Sequence, residues 1–280
     1  MRASLLSVAI PGVFALLGAG AGTAQAIIDT ENRYSSVGTI MVWRVDASGQ
    51  PLQLLGFASG TLIRDRVMVT AGHVTGPEKA LGGLPPTLRA FVSFSPADAK
   101  DPTTWIRVVS QATHPSMPPC PPPPQCDPTD DILVAPLQPG IADVGLLFLE
   151  HAPKGITPAR LASHGSLERS EGAKTTIVGY GTTVPRVRTA PLDASLWDGK
   201  RRFRTSTLRR VVDQTWALWA IPSYVCSGDS GGAIFLNDAL VANVSDGGRD
   251  CRRQNNNNRL DTPGIQNWIN GTIRQLLGDR

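Results

Sequence analysis

The sequence predicts an all-β fold of the barrel or sandwich kind, closed by one helix at its C-terminal end. Three observations carry that reading. After Ile27 the chain runs as short segments rich in Val, Ile, Thr and aromatics, several of them alternating with polar residues. Gly, Pro, Asn and Asp punctuate these segments, and ten or more with such turn-rich spacing argue against an α/β sheet. Helical periodicity stands out in one place, near the end of the chain.

The elements follow in order. Arg2, an apolar stretch from Leu5 to Leu17 interrupted by Pro11-Gly12, and the small residues of Ala24-Gln25-Ala26 have the layout of a secretory leader, residues 1–26. The apolar stretch is short for a bilayer and no later segment is longer, so the expected product starts at Ile27 and carries no membrane span. The predicted strands are Val37–Val45, Leu54–Ile63, Val67–Thr70, Arg89–Phe94, Trp105–Gln111, Val144–Leu149, Thr175–Gly179, Phe203–Val212, Trp216–Ile221, Ala233–Leu236 and Leu240–Val244. A stretch near Ala159–Gly172 is the expected link between two halves, 27–160 and 161–280. Met117–Pro128, dense in proline, and the polar tract Asn255–Asn258 read as exposed loops. The helix runs from Pro263-Gly264 to Leu277, with Ile265, Trp268, Ile269, Ile273, Leu276 and Leu277 at spacings of three and four and Gly278 as its stop.

Composition narrows the function. At 280 residues the chain can build one large domain or two small ones. A net charge of +4, about +3 once Arg2 leaves with the leader, is too small and scattered to mark a nucleic-acid binder. The one basic run, Lys200-Arg201-Arg202-Phe203-Arg204, reads as a solvated loop or strand start. Four cysteines without a Cys-x-x-Cys spacing suit an oxidising compartment and allow three pairings. Pairing Cys226 with Cys251 ties a glycine-rich loop to the following strand region and leaves Cys120 with Cys126. The prolines between those two favour an extended helix, so that bridge needs a sharp bend.

Three motifs carry chemistry. In Gly228-Asp229-Ser230-Gly231-Gly232 a serine sits on a tight turn, with backbone N–H groups able to face a developing oxyanion. Upstream stand Val69-Thr70-Ala71-Gly72-His73 and Ala142-Asp143-Val144-Gly145-Leu146-Leu147. A base, a carboxylate and a nucleophile, each at the edge of an apolar run, read as an acyl-transfer triad. Chain order excludes the nucleophile elbow of α/β-hydrolases, whose histidine follows the serine, since no histidine follows Ser230. An order with aspartate first would have to draw on Asp29, Asp46 or Asp65, and the serine's surroundings do not favour it. Asp130 and Asp131, before Ile132-Leu133-Val134, compete with Asp143 for the middle role. His114, His151 and His164 carry no such motif.

Together with Val178-Gly179-Tyr180-Gly181, with Leu240–Ser245 and with Arg259–Pro263 before the final helix, these motifs resemble the ordered motifs of trypsin-like serine proteases; the last is similar to that of some bacterial members. The resemblance implies two six-stranded antiparallel β-barrels with a C-terminal α-helix and the active site between them. It implies Ser230 as nucleophile, His73 as general base and Asp143 as its partner, with the N–H groups of Gly228 and Ser230 forming the oxyanion hole. Ala58 and Val74 stand where the family usually bridges its histidine loop by a disulfide. Tyr224, Val225, Ser245, Asp246 and Gly247 fall where the primary specificity pocket is built. Tyr224 in place of an aspartate implies a preference for an uncharged, small P1 residue, the one on the acyl side of the cut. Leader cleavage would free an amine at Ile27, and the family's activation mode implies that it pairs with Asp229.

The expected protein is thus a secreted endopeptidase, extracellular or periplasmic, acting as a monomer on protein or peptide substrates. It is expected to use no cofactor and no metal and to bind neither nucleic acid nor, after leader cleavage, membrane. A secreted binding protein on the same fold, or an esterase using the same triad, are the alternatives.

Overall fold

A computed structural model describes residues 26–75, 86–118, 140–185, 194–220, 224–246, 251 and 255–278. Its strands are β1 (Ile27–Ile28), β2 (Val37–Val45), β3 (Pro51–Arg64), β4 (Val67–Thr70), β5 (Leu88–Ser93), β6 (Ile106–Thr113), β7 (Gly145–Leu149), β8 (Lys174–Gly179), β9 (Arg202–Val211), β10 (Trp216–Trp219), β11 (Ala233–Leu236), β12 (Ala239–Asp246) and β13 (Asn255–Arg259). The helices are α1 (Gly72–Thr75) and α2 (Pro263–Leu277). Strands β2-β3-β4-β7-β6-β5 close into one six-stranded antiparallel barrel. Strands β8-β9-β10-β13-β12-β11 close into the second, with β1 added at β9. No described helix is long and apolar enough to cross a membrane.

Period-two alternation explains how two cores share few strands. In β4, Met68 faces the interior of the first barrel while Val67 and Val69 face the layer between the barrels. In β7, Leu147 and Leu149 point inward while Leu146 and Phe148 point to the same shared layer. Both faces are buried, so these strands read as continuous apolar runs. Ala58 and Val74 pack in one apolar cluster inside the first barrel, so apolar contact joins the segments that the missing disulfide would bridge. The second barrel fills around Leu208, Trp219, Ile234 and Val241. Helix α2 lays Ile265, Ile269 and Ile273 on the shared layer, starts with Pro263 and stops at Gly278, which has φ of 75° and donates its N–H to Arg274 O.

Two sequence expectations fail. The tract 255–258 is strand β13, inserted between β10 and β12, and Asn257 and Asn258 are fully buried. Asparagine is a poor strand former, but this strand is held from both sides, and the buried amides of Asn257 and Asn258 each find a partner at one end, while Asn258 Oδ1 has none among the described residues. Asn258 Nδ2 donates to Thr215 O (2.9 Å), and Ser245 N donates to Asn257 Oδ1 (3.3 Å). The basic run 200–204 is not solvated either. Arg201, Arg202 and Arg204 are buried, and each meets an aspartate: Asp29 at 2.9 Å, Asp198 at 2.5 Å and Asp229 at 2.7 Å. Apart from Asp198, four residues before Arg202, the compensating groups lie far away in the chain, so neither correction is readable from local pattern. Cys120, Cys126, Asp130, Asp131 and Gly247 fall outside the described residues.

Candidate active site

Strand pairing sets the base beside its carboxylate. Thr70, the last residue of β4, lies opposite Gly145, the first of β7. His73 follows β4 by three residues and Asp143 precedes β7 by two, so both leave the same end of one antiparallel pair. His73 grips Asp143 twice: its backbone N–H donates to Oδ1 (2.7 Å), and its Nδ1 lies 2.8 Å from Oδ2. Ser245 Oγ also donates to Oδ2, and Asn243 Nδ2 donates to the Asp143 carbonyl (3.2 Å). Asp143 is buried, which opposes its charge. The attraction of His73, with the hydrogen bonds from His73 and Ser245, outweighs that burial and holds the carboxyl below the usual carboxylate range. An ionised Asp143 can only accept, so Nδ1 carries the ring proton and Nε2 is the basic nitrogen.

Ser230 comes from the second barrel, in the turn before β11. A side chain on Gly231, at φ of 78°, would run into Thr70, the Ser59 carbonyl and Ala71, whose N would lie 2.8 Å from the added β-carbon. The residue after Ser230 thus packs on the residue two before His73, and only glycine permits that approach. Gly228, at φ of 93°, abuts the Phe57 ring in the same way.

The peptides of this turn are anchored one by one. In each planar unit the carbonyl and the next N–H point opposite ways, so holding one aims the other. Ser227 O accepts from Thr182 N (2.9 Å), which aims the Gly228 N–H. Asp229 O accepts from Gly232 N (2.8 Å), which aims the Ser230 N–H. Between them, Gly228 O accepts from Ser59 Oγ (2.7 Å) while Asp229 N donates to Cys226 O (3.0 Å). Next, Ser230 O accepts from Ser59 N (2.8 Å) and Gly231 N donates to Val244 O (2.7 Å). Among the described residues, the N–H groups of Gly228 and Ser230 alone in this run, 228 to 232, donate to no protein acceptor. Two such donors within one turn can stabilise an oxyanion.

The remaining candidates divide. The disulfide Cys226–Cys251 is formed, with Cα atoms 4.7 Å apart. Ser245, expected in the pocket, gives its hydroxyl to Asp143. Val225 is buried, Tyr224 has φ of 53°, and the backbone of Asp246 ends β12. His114 packs edge-on against Trp268 while His151 and His164 are exposed. The expected pair between Ile27 and Asp229 needs an amine that only cleavage before Ile27 would free. Ile27 is 57% exposed in β1, opposite Phe203, and the Asp229 carboxylate is already filled. Arg204 Nη2 lies 2.7 Å from Oδ2, Gly181 N donates to Oδ1 (2.9 Å), and Cys226 N donates to Oδ2 (3.0 Å). Arg204 Nη1 also donates to Tyr224 O. In the uncleaved chain a buried cation from β9 partners the Asp229 carboxylate. Arg204, Ser59 and Asn243 are the residues that sequence reasoning missed, and only their tertiary partners mark them.

A trypsin family model matches residues 127–269, half of the chain, including Asp143 and Ser230. No curated protein sequence matches. Among solved structures, GrC is similar with a TM-score of 0.60 at 17% identity, covering 90% of this chain and 99% of that one. Human heparin binding protein has a TM-score of 0.59 at 14% identity, covering 89% and 95%. Neuropsin, a serine protease expressed in the limbic system of mouse brain, has 0.56 at 14%, covering 89% and 98%. At such identities these likenesses speak for the fold alone.

Proposed function

Because the chain belongs to the trypsin family, we propose that it is a secreted serine endopeptidase with Ser230 as nucleophile, His73 as general base and Asp143 as the group that holds the imidazole. The observation that carries this reading is the double grip of His73 on Asp143, at 2.7 and 2.8 Å. It fixes both the tautomer and the direction of the ring, the two things a general base needs.

The chemistry follows. Ser230 Oγ attacks the scissile carbonyl carbon as its proton passes to His73 Nε2. The carbonyl oxygen becomes an oxyanion facing the N–H groups of Gly228 and Ser230. The C–N bond then breaks, His73 gives its proton to the departing amine, and an acyl-enzyme remains. Water repeats the sequence and releases the acid. Asp143 stabilises the imidazolium at both stages without itself taking the proton. The P1 preference is for uncharged, small residues, because Tyr224 stands where an acidic residue would select lysine or arginine. A formed disulfide suits export to an oxidising compartment.

The test is labelling with a fluorophosphonate probe. The wild type should form one adduct, mapped to Ser230 by peptide mass spectrometry, and Ser230→Ala should form none. A wild type that fails to label would leave a binding protein on a protease fold. Cleavage of a peptide library dominated by lysine or arginine at P1 would overturn the pocket assignment.

A further inference from the structure

Ser59 lies in β3 of the first barrel and is fully buried, yet its polar groups reach across to the loop of the second. Its Oγ donates to Gly228 O (2.7 Å) and accepts from Tyr180 N (2.9 Å). Its N–H donates to Ser230 O (2.8 Å), and its carbonyl accepts from Thr70 Oγ1 (2.7 Å), three residues before His73. One residue therefore holds the carbonyls of both residues whose N–H groups face the oxyanion, and it is tied to the segment that delivers the base.

We infer that Ser59 is a positioning residue for the oxyanion hole, its hydroxyl locking the Gly228–Asp229 peptide so that the donors on either side of it stay aligned; this rests on the proteolytic reading above. Fixing the Gly228 carbonyl sets ψ at a residue already held at φ of 93°. Without that bond the peptide between the two donor peptides can rotate, and glycine offers little resistance of its own. Tyr180 N would also lose its acceptor, so the lock and the strand end of β8 are secured by the same oxygen. The backbone bond to Ser230 O survives any substitution except proline. Loss of the side chain thus loosens the Gly228 side selectively. The hydroxyl acts on the donors, not on substrate, so its loss should lower turnover and spare binding.

The experiment compares Ser59→Ala, Ser59→Cys and Ser59→Thr with the wild type on one peptide substrate. Removing a whole oxyanion donor typically lowers the rate about 10²–10³-fold, so loosening one should lower kcat about 10- to 100-fold. KM should stay within about twofold, because uniform binding is untouched. The affinity of a peptide boronic acid, which places an oxygen in the hole, should fall with kcat, while that of a non-covalent product peptide should not. Cys, of the same shape but a weak donor, should fall between Ala and Ser. Thr, which keeps the hydroxyl, should recover most of kcat. The acid limb of the pH–rate profile should not move, since His73 and Asp143 are undisturbed. If the alanine variant fails to fold, the cysteine variant carries the same comparison. A folded Ser59→Ala protein with a lowered melting temperature and an unchanged kcat would overturn the proposal and leave a structural hydroxyl. Fluorophosphonate labelling of each protein separates the two readings: a wild type that fails to label sinks both, whereas labelling with an unchanged kcat sinks only the role of Ser59.

Discussion

The two barrels are built to different plans. The first is filled by Ile40, Leu62, Met68, Val92, Leu147 and Leu149, and Asp143 at its rim is the one buried charged residue described there. The second surrounds its apolar centre with buried ions. Arg204 meets Asp229, and Arg259 meets Asp261 at 2.9 Å. Arg201, just before β9, meets Asp29 and also donates to Val37 O and Phe94 O of the first barrel. Apolar packing is non-directional and absorbs small changes, whereas a buried ion pair is oriented and fails as a unit. The first barrel acts as a frame. The second holds one loop, that of Ser230, in one shape.

The sharpest contrast between them is chemical. Asp143→Asn at the rim of the first barrel should leave Oδ1 as an acceptor for the His73 N–H but present an amide to the ring. The imidazole then turns to the wrong tautomer, and kcat should fall about 10⁴-fold in steady-state assays. A loss below about tenfold would mean that another carboxylate serves the base.

Next in size is the cation of the second barrel. Arg204→Met strands Asp229 in the interior and should cost about 3–5 kcal/mol in urea unfolding. Adding Asp229→Asn should restore much of that, giving a large coupling in the double-mutant cycle. A single substitution costing under about 1 kcal/mol would refute the buried-pair account. In the first barrel, Leu62→Ala leaves a cavity and should cost about 2–5 kcal/mol. Its kcat below the melting range should stay within about threefold, because Leu62 packs in the first barrel's own apolar cluster.

Acid should separate function from fold. Burial disfavours the charge on Asp143 and Asp213, but hydrogen bonds and the nearby His73 and Arg259 outweigh it, and both carboxyls lie below their ordinary range. Their unfolded forms therefore take up protons first as pH falls. The stability they contribute is present above the unfolded value of about 3.9 and is lost as pH drops through the lower folded values. With His73 as the general base, activity should fall earlier, because an imidazole takes up its proton at a higher pH than a carboxylate. Activity lost by pH 5 with an unchanged urea midpoint, and recovered on return to neutral pH, is the expected pattern.

What was legible in the sequence follows the same division. Val67–Thr70 and the apolar run before Leu149 announce their strands because both their faces are apolar, and α2 shows its three-and-four spacing plainly. The motifs around His73, Asp143 and Ser230 could be found because each combines a reactive side chain with small neighbours that allow close approach. Asn255–Asn258 and Lys200–Arg204 misled for one reason. Asn257, Asn258, Arg201, Arg202 and Arg204 are polar in pattern and buried in fact, and most of the groups that satisfy them lie elsewhere: Thr215 for Asn258, Asp29 for Arg201, Asp229 for Arg204. Ser59 was equally silent, since a lone serine in a strand carries no signal until the second barrel docks on it.

The smallest expected effect sharpens the comparison most. If a free amine at Ile27 organised the Ser230 loop, adding a few residues before it would disable the enzyme. Asp229 already holds a guanidinium and a backbone N–H on Oδ2 and a second backbone N–H on Oδ1. Displacing Arg204 would leave its guanidinium at 3% side-chain exposure with the Tyr224 carbonyl but without its counter-charge. Ile27 itself is anchored by pairing with β9 and, two residues on, by Asp29 against Arg201, both of which tolerate chain on the N-terminal side. A product extended by Gly-Ser-Gly before Ile27 should therefore keep kcat/KM within about twofold of the unextended form, since no transition-state contact changes. A loss of tenfold or more, reversed by proteolytic removal of the extension, would show that the terminal amine and Arg204 compete for Asp229.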